Sequence, residues 1–220
     1  MPQLISKAKF PEPPGIKALR EIPVETQTLA AGTTVARIFF TAGDYPSTWD
    51  AFRHYGPSAS RFDHHLPDDD GVPQVQDRGV MYMAAGSESI PTCLAEVFQA
   101  TRIIDRYSRA PILAGFELGD SLTLLNLRGT FATAIGASTA IHSGQRPRAR
   151  RWAQQLYLAY PKVDGILYCS SMYGNEPAIA LFERGQRAIP KRPVFHRELK
   201  DPVMANILTE TAKKIRYELI

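Results

Sequence analysis

Cysteine is scarce: Cys93 and Cys169 are the only two in 220 residues. Neither has another Cys or a His at zinc-finger spacing, which excludes a disulfide framework and a CxxC-type metal site. Both lie in apolar segments, CLAEVF and ILYCSS, and are expected as reduced core residues in a reducing compartment. The familiar catalytic signatures are also missing. There is no Walker loop, GxGxxG, HExxH or GxSxG. A phosphate loop, a dinucleotide fingerprint, a zincin helix and a serine-hydrolase elbow are therefore excluded. Long apolar runs are absent. APILAGF and its like fall far below the ~20 residues of a membrane span, and the opening MPQLISKAKFPEPPG has no apolar signal core. A cytoplasmic setting without a membrane partner is expected. Positive charge is in small excess, with a net +4 and an isoelectric point near 9.1. That suits an anionic ligand or an acidic partner and falls short of a nucleic-acid footprint.

What is present is an ordinary globular composition, 44% hydrophobic and 22% charged, at a length that supports one well-cored domain. Residues 1–31 read as an extension, because Pro11, Pro13, Pro14 and Pro23 discourage a continuous helix. The domain proper is expected over 32–220. TTVARIFF (33–40) and GVMYMA (79–84) read as strands, separated by a long, turn-rich loop of the kind that is functional or mobile. The stretch 87–102 reads as a helix capped by Ser89, with Leu94, Val97, Phe98 and Thr101 on its apolar face. APILAGFEL and SLTLLNL read as a hairpin through Gly119-Asp120. A short helix or turn over 129–138, a basic-then-apolar helix from Arg146 and two strands around MYGNE follow. An amphipathic helix over 201–218 closes the chain. The elements do not alternate as βαβα, so the pattern implies an α+β single domain with a curved or split mixed β-sheet flanked by helices.

Five polar residues stand inside strongly patterned segments: Arg37, Arg61, Tyr82, Glu96 and Ser170. Arg37 shares a strand face with Val35 and Phe39. It is either a structural ion pair or a clamp whose planar fork of donors suits paired phosphate oxygens. Arg61 lies in SASRFD, where a loop arginine is ordinarily solvated, although Phe62 and Asp63 suggest an ordered position. Tyr82 is either core packing or a ring that stacks on, or donates to, a ligand. Glu96 falls opposite the Leu94–Phe98 stripe, so it faces either solvent or an open cleft, and spacing alone favours solvent. Ser170 ends a strand beside Gly174 and Asn175, a favourable place for ligand hydroxyls and amides. DHHLPDDD, with His64, His65, Asp68, Asp69 and Asp70, reads as a mobile acidic loop rather than a metal tract. Adjacent histidines in extended chain point apart. RPRARR, Arg146 to Arg151, reads as a solvated helix start or a surface for an acidic partner. No direct nucleic-acid binding is expected, since aromatic interleaving is thin.

The order of these residues resembles the RES family, over about Thr33 to Glu183. The passages that carry the resemblance are VARIFF, SRFD, VMYMA followed by CLAEVF, and DGILYCSS followed by ALFE. The chain departs from the family in having Ala59-Ser60-Arg61-Phe62 where many members have Gly-Gly-Arg-Trp, and in a long stretch between Arg61 and Tyr82. The resemblance implies an ADP-ribosyltransferase-like fold. It also implies NAD+ degradation at the nicotinamide–ribose bond by phosphorolysis or hydrolysis, and a toxin paired with an Xre-type antitoxin. Protein ADP-ribosylation and a non-catalytic binding module with a decayed site remain the alternatives. By the same resemblance Arg37 and Arg61 would hold the diphosphate, Tyr82 would flank the nicotinamide end and Glu96 would engage the ribose. Ser170, or Ser171 in its place, would help to seat the ligand. NAD+ would be a substrate rather than a cofactor, inorganic phosphate could serve as acceptor, and no metal is implied. A homo-oligomer is compatible with this reading.

Overall fold

The computed structural model describes residues 8–220; the first seven residues of the opening extension lie outside that range. In chain order the elements are α1 (Ile16–Arg20), β1 (Thr26–Leu29), β2 (Thr34–Phe40), β3 (Arg53–Gly56) and β4 (Gln74–Ala85). They continue with α2 (Ser89–Val97), β5 (Ile103–Ile104), β6 (Pro111–Glu117), β7 (Leu122–Asn126), α3 (Phe131–Ala134) and α4 (Arg146–Ala159). The last are β8 (Gly165–Cys169), β9 (Pro177–Phe182), β10 (Phe195–Glu198), α5 (Ala205–Ile215) and β11 (Glu218–Leu219). Eight strands form one sheet in the order β1-β7-β8-β9-β4-β2-β6-β10, and β3 adds beside β4. The β7–β8 pair is parallel and the other pairs of this sheet are antiparallel. The result is the expected α+β single domain, with helices against a mixed sheet.

Two features of that sheet make the site. The first is a split. β2 pairs with β6 along its whole length, from Thr34 to Phe40. Against β4 it pairs only through Val35–Ala85 and Ala36–Ala84. From Arg37 onward the two strands part, and β4 pairs with β3 and β9 instead. The second feature is curvature. Gly119-Asp120 does not close a hairpin, because β6 and β7 lie on opposite limbs with four strands between them. In a flat sheet they would be ~24 Å apart, at about 4.8 Å per strand. The short linker from Glu117 to Leu122 reaches at most ~18 Å. The sheet therefore curls until Val35, Phe116 and Leu118 of one limb meet Leu122, Leu124 and Leu167 of the other in one apolar cluster. The amides that a hairpin would use are engaged elsewhere: Leu118 N donates to Thr33 O and Gly119 N to Ala188 O.

Helices cover both limbs. Ala149, Trp152, Ala153 and Leu156 repeat at helical spacing on α4 and are fully buried against β8 and β9. On the other limb Leu208 and Ala212 of α5 and Leu94 of α2 pack on Ala36, Ile38 and Leu113. α2 is shorter than the sequence suggested. Ser89 is its first residue rather than its cap, the helix stops at Val97, and the Phe98 amide closes on Leu94 O. Leu94 and Phe98 are buried as expected, whereas Val97 and Thr101 face solvent. The closing helix spans 205–215, preceded by a short 3₁₀ turn capped by Asp201. Arg216, in the left-handed region, ends it and frees β11 to pair with β5. Cys93 is buried and donates to Ala36 O, and burial pushes its thiol up to about 12. Cys169 is half-buried, not a core residue. Among the described residues no helix is long and apolar enough to cross a membrane.

Candidate active site

The gap between β2 and β4 opens into a cleft of about 680 Å³. Its walls bring together residues remote in sequence: Arg37 of β2, Arg61 from the 58–61 loop, Tyr82 of β4, Glu96 of α2 and Ser171 after β8. Among the described residues Glu96 is the sole carboxylate on the lining, against five arginines: Arg37, Arg53, Arg61, Arg109 and Arg146.

Arg37 is 8% exposed. Its Nη1 donates to Trp49 O at 3.0 Å and Ala51 O at 3.1 Å, and its Nε has no partner among the described residues. Burial lowers its guanidinium to about 10, so it stays cationic at neutral pH. Among the described residues no carboxylate forms an ion pair with it, which sets aside the ion-pair reading. Arg61 is fixed from both sides. Phe62 is fully buried with its ring 4.6 Å from that of Tyr168. Asp63, equally buried, accepts from Arg53 at 2.9 Å, from the Ser58 amide at 2.5 Å and from the His65 amide at 3.1 Å. The loop between these anchors has little freedom, and Arg61 Nη1 donates to Gly144 O at 2.5 Å. Burial and the neighbouring Arg146 charge lower the Arg61 guanidinium, while Glu96 opposes them.

Tyr82 shares a β4 face with Val80, and its buried hydroxyl lacks a partner among the described residues. Burial pushes the phenol far up, so it remains a neutral donor. An unpaired buried hydroxyl costs about 1–3 kcal/mol, a cost that a bound acceptor would remove.

Glu96 sits in the last turn of α2, where the helix dipole disfavours a carboxylate. Polar partners compensate. Ser170 Oγ donates to Glu96 Oε1 at 2.6 Å, and Gln99 Nε2 donates to Glu96 Oε2 at 3.2 Å. Gln99 Oε1 in turn accepts from Arg146 Nη2 at 2.5 Å. Glu96 is thus not the solvated carboxylate that spacing alone favoured. Ser170 is 1% exposed and also accepts the amides of Met172 and Tyr173 at 3.2 and 3.1 Å. The next residue, Ser171, is exposed and faces the cleft. The two serines divide the tasks: one orients the carboxylate and the other meets the open space.

Arg53, Arg109, Tyr168 and Arg146 are among the lining residues that the sequence did not mark as site candidates. Arg53 and Arg109 sit in turn-rich segments with no periodic signal, and Tyr168 looked like an ordinary strand residue. Arg146 was hidden in a basic run that the fold divides. Arg146 enters the cleft, whereas Arg148 and Arg151 grip Glu12 of the N-terminal segment at 3.1 and 2.6 Å. The acidic loop is likewise divided. Asp69 and Asp70 are exposed, but His64 and His65 are fully buried, which corrects their reading as part of a mobile loop. His65 bridges Asp63 and Arg78 O, at 2.5 and 2.8 Å. His64 stacks on Tyr157 and lies 4.5 Å from the Phe182 ring. Burial of His65 is offset by its two hydrogen bonds, whereas both His64 nitrogens lack a partner among the described residues and that ring rests on aromatic cover alone. Among the described residues no group of three or more His, Cys, Asp or Glu is placed to hold a metal ion.

Such a cleft can hold several phosphoryl oxygens on its guanidiniums and place one oriented carboxylate against a developing positive charge. Comparison with known proteins gives this arrangement a context. No curated protein matches the sequence. Among solved structures, one similar chain comes from the M. tuberculosis MbcT–MbcA toxin–antitoxin complex. The likeness has 15% identity and a TM-score of 0.54 over 88% of this chain and 96% of that one, and it shows a shared fold. The RES domain profile matches residues 34–201, from the start of β2 to the cap of the turn before α5. With that match spanning well over half of its length, the chain belongs to the RES domain family.

Proposed function

We propose that the protein degrades NAD+ by breaking the nicotinamide–ribose bond, and that it is the toxin of a toxin–antitoxin pair. The observation that carries the reading is the single carboxylate, Glu96, oriented by Ser170 inside a cleft whose other charged lining residues are arginines. Family membership and the likeness to a chain of a toxin–antitoxin complex agree with it.

In this reading Arg37 and Arg61 hold the diphosphate, which fixes the pose of the dinucleotide. Tyr82 donates its unpaired hydroxyl at the nicotinamide end. The bond between ribose C1′ and the ring nitrogen breaks with both electrons leaving on nicotinamide, which neutralises the pyridinium. C1′ acquires oxocarbenium character facing Glu96, whose negative charge stabilises it. Phosphate or water then adds to C1′, giving ADP-ribose 1-phosphate, or ADP-ribose and a proton. Ser171 lines the open side, where the acceptor enters. An antitoxin with an acidic segment suits the positive lining.

The test is NAD+ consumption by purified protein in buffers with and without phosphate, with products resolved by chromatography and label from NAD+ sought on macromolecules. Phosphate-dependent ADP-ribose 1-phosphate marks phosphorolysis, and ADP-ribose marks hydrolysis. Label on protein redirects the reading to ADP-ribosyl transfer. No consumption at all, or turnover undiminished in Arg61→Ala, overturns the proposal.

A further inference from the structure

A second cavity, of about 470 Å³, lies at the other end of β2 from the cleft. Thr34, Val35 and Ala36 line it, whereas Arg37 to Phe40 line the cleft. Helix α2 is divided in the same way. Ser89 and Ile90 of its first turn face the second cavity, and Glu96 of its last turn faces the cleft. The floor is apolar: Val35, Leu113, Phe116 and Met204 are each 1% exposed or less. The mouth is apolar too. Val194 before β10, Val203 in the turn before α5 and Ile207 on α5 line it at 76%, 73% and 38% exposure.

Two polar groups give this lining a chemical preference. Thr92 and Cys93, further along α2, donate from their side chains to Glu88 O and Ala36 O, at 2.7 and 3.1 Å. The Ser89 hydroxyl has no partner among the described residues, although the residue is only 6% exposed. It stands at the start of a helix that lacks a side-chain cap, where the backbone carries partial positive charge. The second group is Glu117, exposed and without an ion-pair partner among the described residues. Among those residues it is the one charged group on the lining.

Size and charge together decide the ligand class. A volume of about 470 Å³ falls in the ~300–1,000 Å³ range of small-molecule sites. A protein partner needs ~800 Å² of matching surface on each side. Outside the mouth, however, β10 and α5 expose charge, at Arg197, Glu210 and Lys213. An anionic ligand would be drawn to the helix start and repelled by Glu117, and a cationic one the reverse. An uncharged head avoids both conflicts, and a hydroxyl can both donate to Ser89 Oγ and accept from it.

We propose that this cavity is a second binding site, for a small uncharged alcohol whose apolar body fills it and whose hydroxyl meets Ser89. The site does not depend on the NAD+-degrading reading. It is tested by calorimetry on the full chain, with 1-octanol, octylammonium and octanoate as probes. Wild type is expected to bind 1-octanol saturably, about tenfold or more tighter than either charged probe. Ser89→Ala, which removes one oxygen, weakens the alcohol about 2–12-fold. Val203→Trp, at the exposed mouth, weakens it about tenfold or more. Arg61→Ala, in the cleft, leaves it within twofold of wild type. The proposal is overturned if 1-octanol shows no saturable binding, or if either charged probe binds as tightly. It also fails if Ser89→Ala or Val203→Trp matches wild type, or if Arg61→Ala loses the alcohol, which moves it to the cleft. A wild-type dimer in sedimentation that Val203→Asp dissociates overturns it too, since the mouth then faces a second copy of the chain.

Discussion

The Ser170 hydroxyl donates to Glu96 Oε1 across 74 positions of sequence while accepting the amides of Met172 and Tyr173. With its proton on the carboxylate and both lone pairs on amides, the hydroxyl has its full complement of hydrogen bonds inside the protein. It couples the end of β8 to the last turn of α2.

Ser170→Ala removes a buried hydrogen bond to a charged group, worth about 1.5–3 kcal/mol, and leaves two amides without their acceptor. NAD+ turnover is expected to fall at least tenfold, with a lower Tm. Ser171→Ala, on the open side, leaves Tm unchanged. Parallel melting curves and rate measurements on the two variants check the division of tasks; equal losses of Tm in both would contradict it.

Glu96→Gln keeps the shape and one acceptor for Ser170 but removes the charge. Loss of an electrostatic contact of this kind costs about 10²–10³ in rate. The expected signature is a drop in kcat with KM little changed, because the charge matters most when C1′ becomes positive.

Acid lability should come in two stages. Burial lowers the His64 imidazole below its usual 6.5, with Glu183 opposing from 3.7 Å, a separation too long for a hydrogen bond. The unfolded chain therefore takes up this proton first, and stability begins to fall below about pH 6.5. Burial works against the Glu183 carboxylate, but the nearby His64 ring, the Gly79 amide at 2.9 Å and the Tyr157 hydroxyl at 2.7 Å outweigh it and hold the group below its usual 4.5. Its contribution is complete above 4.5 and is lost as pH falls below that. Urea unfolding at a series of pH values reads both stages. Glu183→Gln flattens the lower one, and His64→Gln the upper.

The N-terminal segment is held by burial more than by charge. Trp152 is fully buried, stacks on Phe10 and donates from Nε1 to Pro11 O at 2.9 Å. Trp152→Ala is expected to cost about 3–5 kcal/mol, a fall of roughly 10 °C in Tm. Glu12→Ala breaks the exposed pairs with Arg148 and Arg151 and should move Tm by no more than about 2 °C. Differential scanning calorimetry separates the two; a larger loss in the Glu12 variant reverses the ranking.

Composition and periodicity were enough to mark the strands around Arg37 and Tyr82, the helix carrying Glu96, the helix from Arg146 and the α+β class, because each of these signals is local. They could not give the hairpin's fate. Gly119-Asp120 is a sound local turn, but a curled sheet sends its two strands to different neighbours. Nor could they place Arg109 and Arg146, whose side chains stand in turn and charge patterns that look the same whether they face solvent or a cleft. The sequence by itself determined which residue types were available to the site and which elements carry them. Only the tertiary structure decided that Glu96 faces Ser170 rather than solvent, and that β2 leaves β4 at Arg37. The first depends on the packing of α2 beside the end of β8, and the second on which strands compete for the same backbone hydrogen bonds; both are settled between segments far apart in the chain.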